Sequence, residues 1–204
     1  MENDGEKNNR DIAILQLNKS QYDDEVIDGL DVRGLDLTFT DLSEVQADRL
    51  QAEGVRLRAS VLMRASFRDC DFKSANFESG NLEWADFADC IFYDANFRKA
   101  NLKNAKINIS FCEGVCFDEV DFAGGELIDT IFNDATFCNA NLTRVNAADA
   151  NFNGADLRGA NLSEGNFENS DFTGAKLDGV IWKGANIKGA KFDYNIRKKI
   201  SEEI

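Results

Sequence analysis

From residue 146 to residue 192 a large apolar side chain returns at every fifth position: Phe152, Leu157, Leu162, Phe167, Phe172, Leu177, Trp182, Ile187 and Phe192. Two residues before each stands a small one: Ala150, Ala155, Ala160, Gly165, Ser170, Ala175, Val180, Ala185 and Ala190. A period of five fits neither the helix, at about 3.6, nor the strand, at about 2. It is the mark of an internal repeat. Traced back, the phase holds without insertion from Leu57 to Phe192, 28 regular units, and neither of the two spaced positions carries a charge in that span.

The spacing dictates a geometry. Two inward residues separated by one outward residue are a short piece of extended chain, because strand side chains alternate. The other two residues of each unit must turn a corner in water. Bending the same way every five residues winds the chain into a solenoid. At a spacing of 20 the large positions sort by type, with Phe72, Phe92, Cys112, Phe132, Phe152, Phe172 and Phe192 in one column and Leu62, Leu82, Leu102, Phe122, Leu142, Leu162 and Trp182 in another. A spacing of 15 mixes Phe with Leu. Four units per coil follow.

Units such as ADLRG (155–159), ANLSE (160–164) and ANFRK (95–99) resemble those of the pentapeptide-repeat family. The resemblance covers about residues 30–192 and implies an all-β fold, a right-handed quadrilateral β-helix with a stacked core. The predicted organisation is a disordered tail over 1–10, an N-terminal cap segment over 11–29, the repeat solenoid over 30–192 and a short C-terminal capping helix over 193–204. The apolar residues of 11–27 suit either a strand or a helix. Two readings also fit 43–56, where the beat weakens. One is a helix with Ser43 and Gln46 as capping box and Gly54 as stop. The other is continued repeats with large and small exchanged, at Val45, Ala47, Leu50 and Ala52. After Phe192, Ile196, Ile200 and Ile204 recur at four, one stripe of a helix. That stripe is a lid on the last coil, or a lid that also supports a homodimer, as the similar ends of gyrase-inhibiting family members do.

Chemistry is sparse. The chain has no histidine and no proline, and its net charge is −14. The commonest general base and metal ligand is therefore missing, and direct binding to nucleic acid or an anionic membrane is disfavoured. No nucleophile–base pair or metal-ligand loop is visible, so no enzyme, cofactor or metal is expected. Cys70, Cys90 and Cys112 fall at inward positions; Cys116 and Cys138 face out. An acidic, polar start and the lack of a long apolar run suggest a cytoplasmic protein.

Two departures from the repeat stand out. Corner residues in one column read Asp69, Asp89, Ile109, Asp129 and Asp149; with Asp94 and Asp134 they form a candidate acidic edge. Beside acidic residues, Ile91, Phe111 and Ile131 replace the Asn or Asp expected between the inward residues, with Tyr93 two residues on. These are a candidate protein-binding patch, unless the SFCEG unit (110–114) slips by one and turns Phe111 inward and Cys112 outward. The reading that follows is a non-enzymatic scaffold or regulator working through contact with an unidentified protein. The alternative, implied by the resemblance, is an acidic DNA mimic that binds and protects DNA gyrase or topoisomerase, as in quinolone or toxin resistance.

Overall fold

The computed structural model describes residues 4–23, 25–194, 196 and 200. After a helix, α1 (Asp4–Asp23), come five short strands: β1 (Ile27–Asp28), β2 (Gln46–Asp48), β3 (Ser66–Arg68), β4 (Asp86–Ala88) and β5 (Lys106–Asn108). They pair in parallel, in chain order, each shifted by twenty residues: Ile27 against Ala47, Ala47 against Phe67, Phe67 against Phe87, Phe87 against Ile107. Single bridges with the same shift run down the other three sides, as in Asp71–Ile91, Asn76–Asn96 and Asn81–Asn101, and continue to Asp171–Lys191. Twenty residues therefore make one four-sided coil, and every coil sits in register on the one before.

Corners repeat as strictly as the core. The second residue of each outward corner pair, every fifth position from Gly29 to Gly189, has positive φ. On most sides the corner is closed by a bond from the residue after it, as in Ala95 N–H to the Phe92 carbonyl at 2.9 Å. A positive φ at the third residue of such a turn is the requirement of a type II turn. Gly, Asn and Asp meet it most easily, which explains their frequency at these corners. The corners following β2 to β5 are more open. There the buried amides find side chains of the next coil instead: Leu50 N–H to Cys70 Sγ at 3.3 Å, Cys90 N–H to Ser110 Oγ at 3.1 Å. The Cys90 thiol itself donates to the Ala88 carbonyl at 3.4 Å, so Cys70 and Cys90 are buried hydrogen-bonding partners rather than mere filler.

Inside, phenylalanines stack coil on coil: Phe77–Phe97, Phe97–Phe117 and Phe117–Phe137 have centroids 4.5, 5.0 and 4.9 Å apart with nearly parallel rings. Neighbouring columns meet edge to face, as in Phe117–Phe132 at 5.8 Å. Such contacts add to the large area each ring buries. Outside, the Asn or Asp between the inward residues accepts from the amide two residues on, as Asn76 does from Glu78 and Asn96 from Arg98, both at 2.9 Å. This local bond fixes the approach to each corner.

Residues 43–56 are continued repeats, not a helix. Val45, Ala47, Leu50 and Ala52 are all buried, so large and small have changed places within each of two inward pairs. The solenoid begins with β1, slightly ahead of residue 30. The cap segment is helical, and the helix reaches back to Asp4, so residues 4–10 differ from the expected disordered tail. Ala13, Leu17 and Ser20 point into the open end of the first coil. Leu17 packs with Val32, Leu37 and Leu42. Ser20 Oγ accepts from Gln46 N–H at 3.0 Å, Gln21 donates to the Ser43 carbonyl, and Arg10 Nε donates to the Asp36 carbonyl at 2.6 Å. Once that docking forms a helical nucleus, the polar turn before it is added at little cost. No helix among the described residues is long and apolar enough to cross a membrane.

Among the described residues Asp156 is the least exposed carboxylate and the best partnered. Arg158 grips it with both donors, at 2.8 and 2.7 Å, and Lys176 Nζ lies at 3.3 Å. The Arg158 bonds hold its carboxyl well below the usual 3.8. A depressed carboxyl contributes stability above its unfolded value and loses it as pH falls through the folded one. We expect Asp156→Asn to lower stability at pH 7 by about 1–2 kcal/mol. In thermal melts the gap to wild type should close as pH drops from about 4 toward 2, and a gap constant with pH would contradict the assignment.

Candidate functional site

One side of the solenoid carries outward positions 71, 91, 111, 131 and 151, bridged in succession. Three successive positions in the middle of this row are apolar. Phe111 is 42% exposed while Cys112 is fully buried. The ladder passes through both without interruption, from Phe111 N–H to the Cys90 carbonyl at 3.0 Å and from Cys112 N–H to the Ile131 carbonyl at 2.7 Å. The SFCEG unit has therefore not slipped. Ile91, Phe111 and Ile131 form a continuous outward column, and the Tyr93 ring meets that of Phe111 edge-on with centroids 6.3 Å apart.

The acidic edge borders this same side. Asp69, Asp89, Asp129 and Asp149 stand at the corners where the side begins; Asp94 and Asp134 stand at the corners where it ends. All six have φ between 54 and 58°, so backbone geometry favours Asp there as well as charge. Their charges are nonetheless left uncompensated. Strand carboxylates tend to be paired, as Asp71 is with Lys73 at 3.0 Å, Asp121 with Lys103 at 3.1 Å and Glu126 with Lys106 at 3.2 Å. Among the described residues none of the six corner aspartates has an ion-pair partner. Between Asp94 and Asp134 lies an open hollow of about 530 Å³, lined also by Tyr93, Glu113, Gly114 and Asn133. The two candidate sites are thus one surface, an apolar column between two acidic ridges.

Two members were missed in the sequence. Ile109 appears there only as a break in a column of aspartates, yet its side chain is 57% exposed and lies at the corner leading to Phe111. Around that corner the Ile109 amide bonds the Ile128 carbonyl at 3.0 Å, and Ile128 is a half-buried outward residue. The apolar patch therefore wraps onto the adjoining side. The available signal was the run of apolar outward residues 109, 111, 128 and 131, read across columns instead of along one. On the solenoid the other exposed large apolar residues, Phe39, Trp84 and Ile181, stand apart from this patch.

The remaining candidates separate from it. Ile200 is buried against the last coil and Ile196 partly so; Ile204 lies outside the described residues. Burial pushes the Cys112 thiol up, and the Cys70 contact followed by burial does the same for Cys90. Burial, then the nearby Asp118 and Asp156, pushes Cys138 up to about 11. Such thiols are poor nucleophiles at neutral pH. Among the described residues no cluster of His, Cys, Asp or Glu is arranged to hold a metal ion. A hollow at the N-terminal end has Lys7, Arg10, Arg33 and Arg56 on its walls, but Arg33 is bound to Asp31 and Arg56 to Asp36.

A β-branched residue with φ of 54° is strained, at a cost of about 1–2 kcal/mol. At 57% exposure Ile109 gains little burial in return. Ile109→Asn should therefore raise thermal stability, by about 1 kcal/mol. An unchanged or lowered melting midpoint would show that Ile109 is not strained there.

Comparison with known proteins agrees with this architecture. Residues 58–106 match a profile described as pentapeptide repeats (9 copies), and residues 116–154 and 166–194 one described as pentapeptide repeats (8 copies). Together they span more than half of the chain. No curated protein sequence matches. A trypsin-treated variant of QnrB1, a plasmid-mediated fluoroquinolone resistance protein, is 22% identical over 87% of both chains with a TM-score of 0.68. A second trypsin-treated variant is 23% identical over 87% of this chain and 93% of that one, at 0.50. HetL, involved in heterocyst differentiation regulation in the cyanobacterium Nostoc sp. strain PCC 7120, is 20% identical over 82% of this chain and 91% of that one, with a TM-score of 0.37. The two QnrB1 variants show a likeness of fold. By the repeats that fill it and the coils they build, the chain belongs to the pentapeptide-repeat family.

Proposed function

We propose that this protein is a non-enzymatic binding rod whose work is contact with another protein, made through the column of Ile91, Phe111 and Ile131 and its acidic borders. The observation that carries the reading is Phe111. An outward position otherwise held mostly by polar residues bears an exposed ring, flanked along the column by two isoleucines and edge-on by Tyr93. Hydration makes such a patch unfavourable unless something covers it, and an apolar centre with a polar rim is the usual anatomy of an interface. The right-handed winding that the resemblance implies, a closing helix over 193–204 and a homodimer through that end belong to the same reading.

A pull-down from the native cell tests it. Wild type should retain a partner that Phe111→Asp and Ile91→Asp both lose, while circular dichroism of the variants stays unchanged, since both residues face out. Retention of every partner by both variants would refute the patch.

The corner aspartates support a second reading. Unpaired carboxylates along two corner columns, in adjacent coils at Asp69–Asp89 and Asp129–Asp149, on a fold like that of a fluoroquinolone resistance protein, suit an acidic DNA mimic acting on gyrase or topoisomerase. The charge is sparser than that of duplex DNA, about one per 1.7 Å of axis. Addition of the protein to a purified gyrase supercoiling reaction should then inhibit it, or protect it from a quinolone. Neutralising Asp89, Asp94, Asp129 and Asp134 to Asn should remove the effect. No effect of the wild type would dispose of this reading and leave the first intact.

A further inference from the structure

We infer that the occupant of this surface is a basic amphipathic helix, lying along the solenoid axis with its apolar stripe on Ile91, Phe111 and Ile131. The inference rests on the docking surface proposed above and adds the form and charge of what docks.

The backbone argues first against the other peptide form. Amides and carbonyls of this side are already used between coils, as in Ile91 N–H to the Cys70 carbonyl at 3.0 Å and Phe92 N–H to the Phe111 carbonyl at 2.8 Å. An added strand needs a free edge, and this face offers none. Recognition must come from side chains, which is how a helix is recognised in a groove.

The dimensions agree. The apolar residues are one coil apart, about 4.8 Å at the spacing of paired strands. A helix presents apolar residues at i, i+3 or i+4, and i+7 with a pitch of about 5.4 Å. Over two intervals the ladders differ by only about 1 Å. Across the axis, five residue steps separate Asp89 from Asp94, at most about 16 Å at about 3.3 Å each and less because the chain turns at the corner. A helix with its side chains is about 10–12 Å wide. It therefore fills the side between the ridges, and the residues flanking its stripe lie over Asp89 and Asp129 on one border and Asp94 and Asp134 on the other. Lysine or arginine at those positions completes both rows of unpaired carboxylates, and their long stems cover apolar surface on the way. A second copy of this chain is disfavoured, because at a net charge of −14 it would set acidic ridge against acidic ridge.

The test uses the full-length protein and three synthetic peptides of about 18 residues, titrated by calorimetry at low and moderate salt. One carries a leucine stripe flanked by lysines, the second the same stripe flanked by glutamates, the third the first composition scrambled to abolish the stripe. The first should bind, at least about tenfold more tightly than the other two. Phe111→Asp should weaken it about tenfold or more. The fourfold change of Asp89, Asp94, Asp129 and Asp134 to Asn, which preserves residues at ease with positive φ, should weaken it and flatten its salt dependence. Equal binding of the scrambled peptide, or of the Phe111→Asp protein, would overturn the inference by showing charge attraction alone. Failure of the striped basic peptide while the native partner is still captured through Phe111 would overturn the helix and leave the docking surface standing. Loss of both would remove both.

Discussion

Everything in this molecule depends on a left-handed backbone corner at every fifth residue. Each corner turns the chain through one side of the coil, and four of them bring residue i over residue i+20. That return permits the parallel ladder, and the ladder brings like side chains into stacked columns. If a corner were extended instead, the inward pair that follows would leave the core. The strain is small per corner and is relieved where Gly, Asn or Asp occupies it. It is carried by residues as unsuited as Phe39, Trp84 and Ile109, each with φ near 60°. They are held because neighbours above and below fix the corner through the ladder, so that local preference yields to stacking.

This architecture makes some of the sequence transparent and some opaque. The solenoid is legible because each inward position has one environment, coil after coil, and a charge there would have no partner. Residues 43–56 are ambiguous for a related reason. The two inward residues of a unit share one volume, so Val45 with Ala47, or Leu50 with Ala52, fills the space that Ala with Leu fills elsewhere. Packing senses the sum while a pattern search senses the order. The helical form of α1 is illegible because it docks by a narrow stripe of Ala13, Leu17 and Ser20, too few apolar residues to impose a period. The site is legible residue by residue, as departures from the rule. That the patch lies beside acidic residues is legible too; what is hidden is that the corner aspartates on both of its borders lack ion-pair partners among the described residues, since pairing depends on where the lysines and arginines reach. Ile109 is hidden by its own column, where it reads as a missing aspartate.

Position along the rod also bears on function. Coils over 146–192 follow the repeat most closely, with paired Asn ladders such as Asn146–Asn166 at 2.9 Å and Asn166–Asn186 at 2.7 Å. Such a surface is satisfied by itself and offers a partner little that water does not. Coils near 91–134 differ in two ways at once. Their outward apolar residues are at best half-buried by the fold, and Ile109 adds backbone strain at the same place. Strain and exposed apolar area coinciding on one side of a regular rod are hard to attribute to folding.

The acidic ridges obey the same logic. Aspartates in one column, such as Asp69 and Asp89, are one coil apart, about 5 Å. Two unit charges at that distance repel by roughly 0.8 kcal/mol even at the dielectric of water. Strand carboxylates escape much of this through a lysine or arginine within reach; the corner aspartates do not. Their repulsion is therefore a standing cost of the free rod, screened by salt and relieved by any cation held between them. A partner that supplies such cations lowers the energy of the rod as well as its own, so binding and stability are linked. The surface is unsatisfied in two independent respects, exposed hydrocarbon along its middle and unpaired charge along both margins. A ligand of a single kind, apolar along one stripe and cationic on either side of it, answers both.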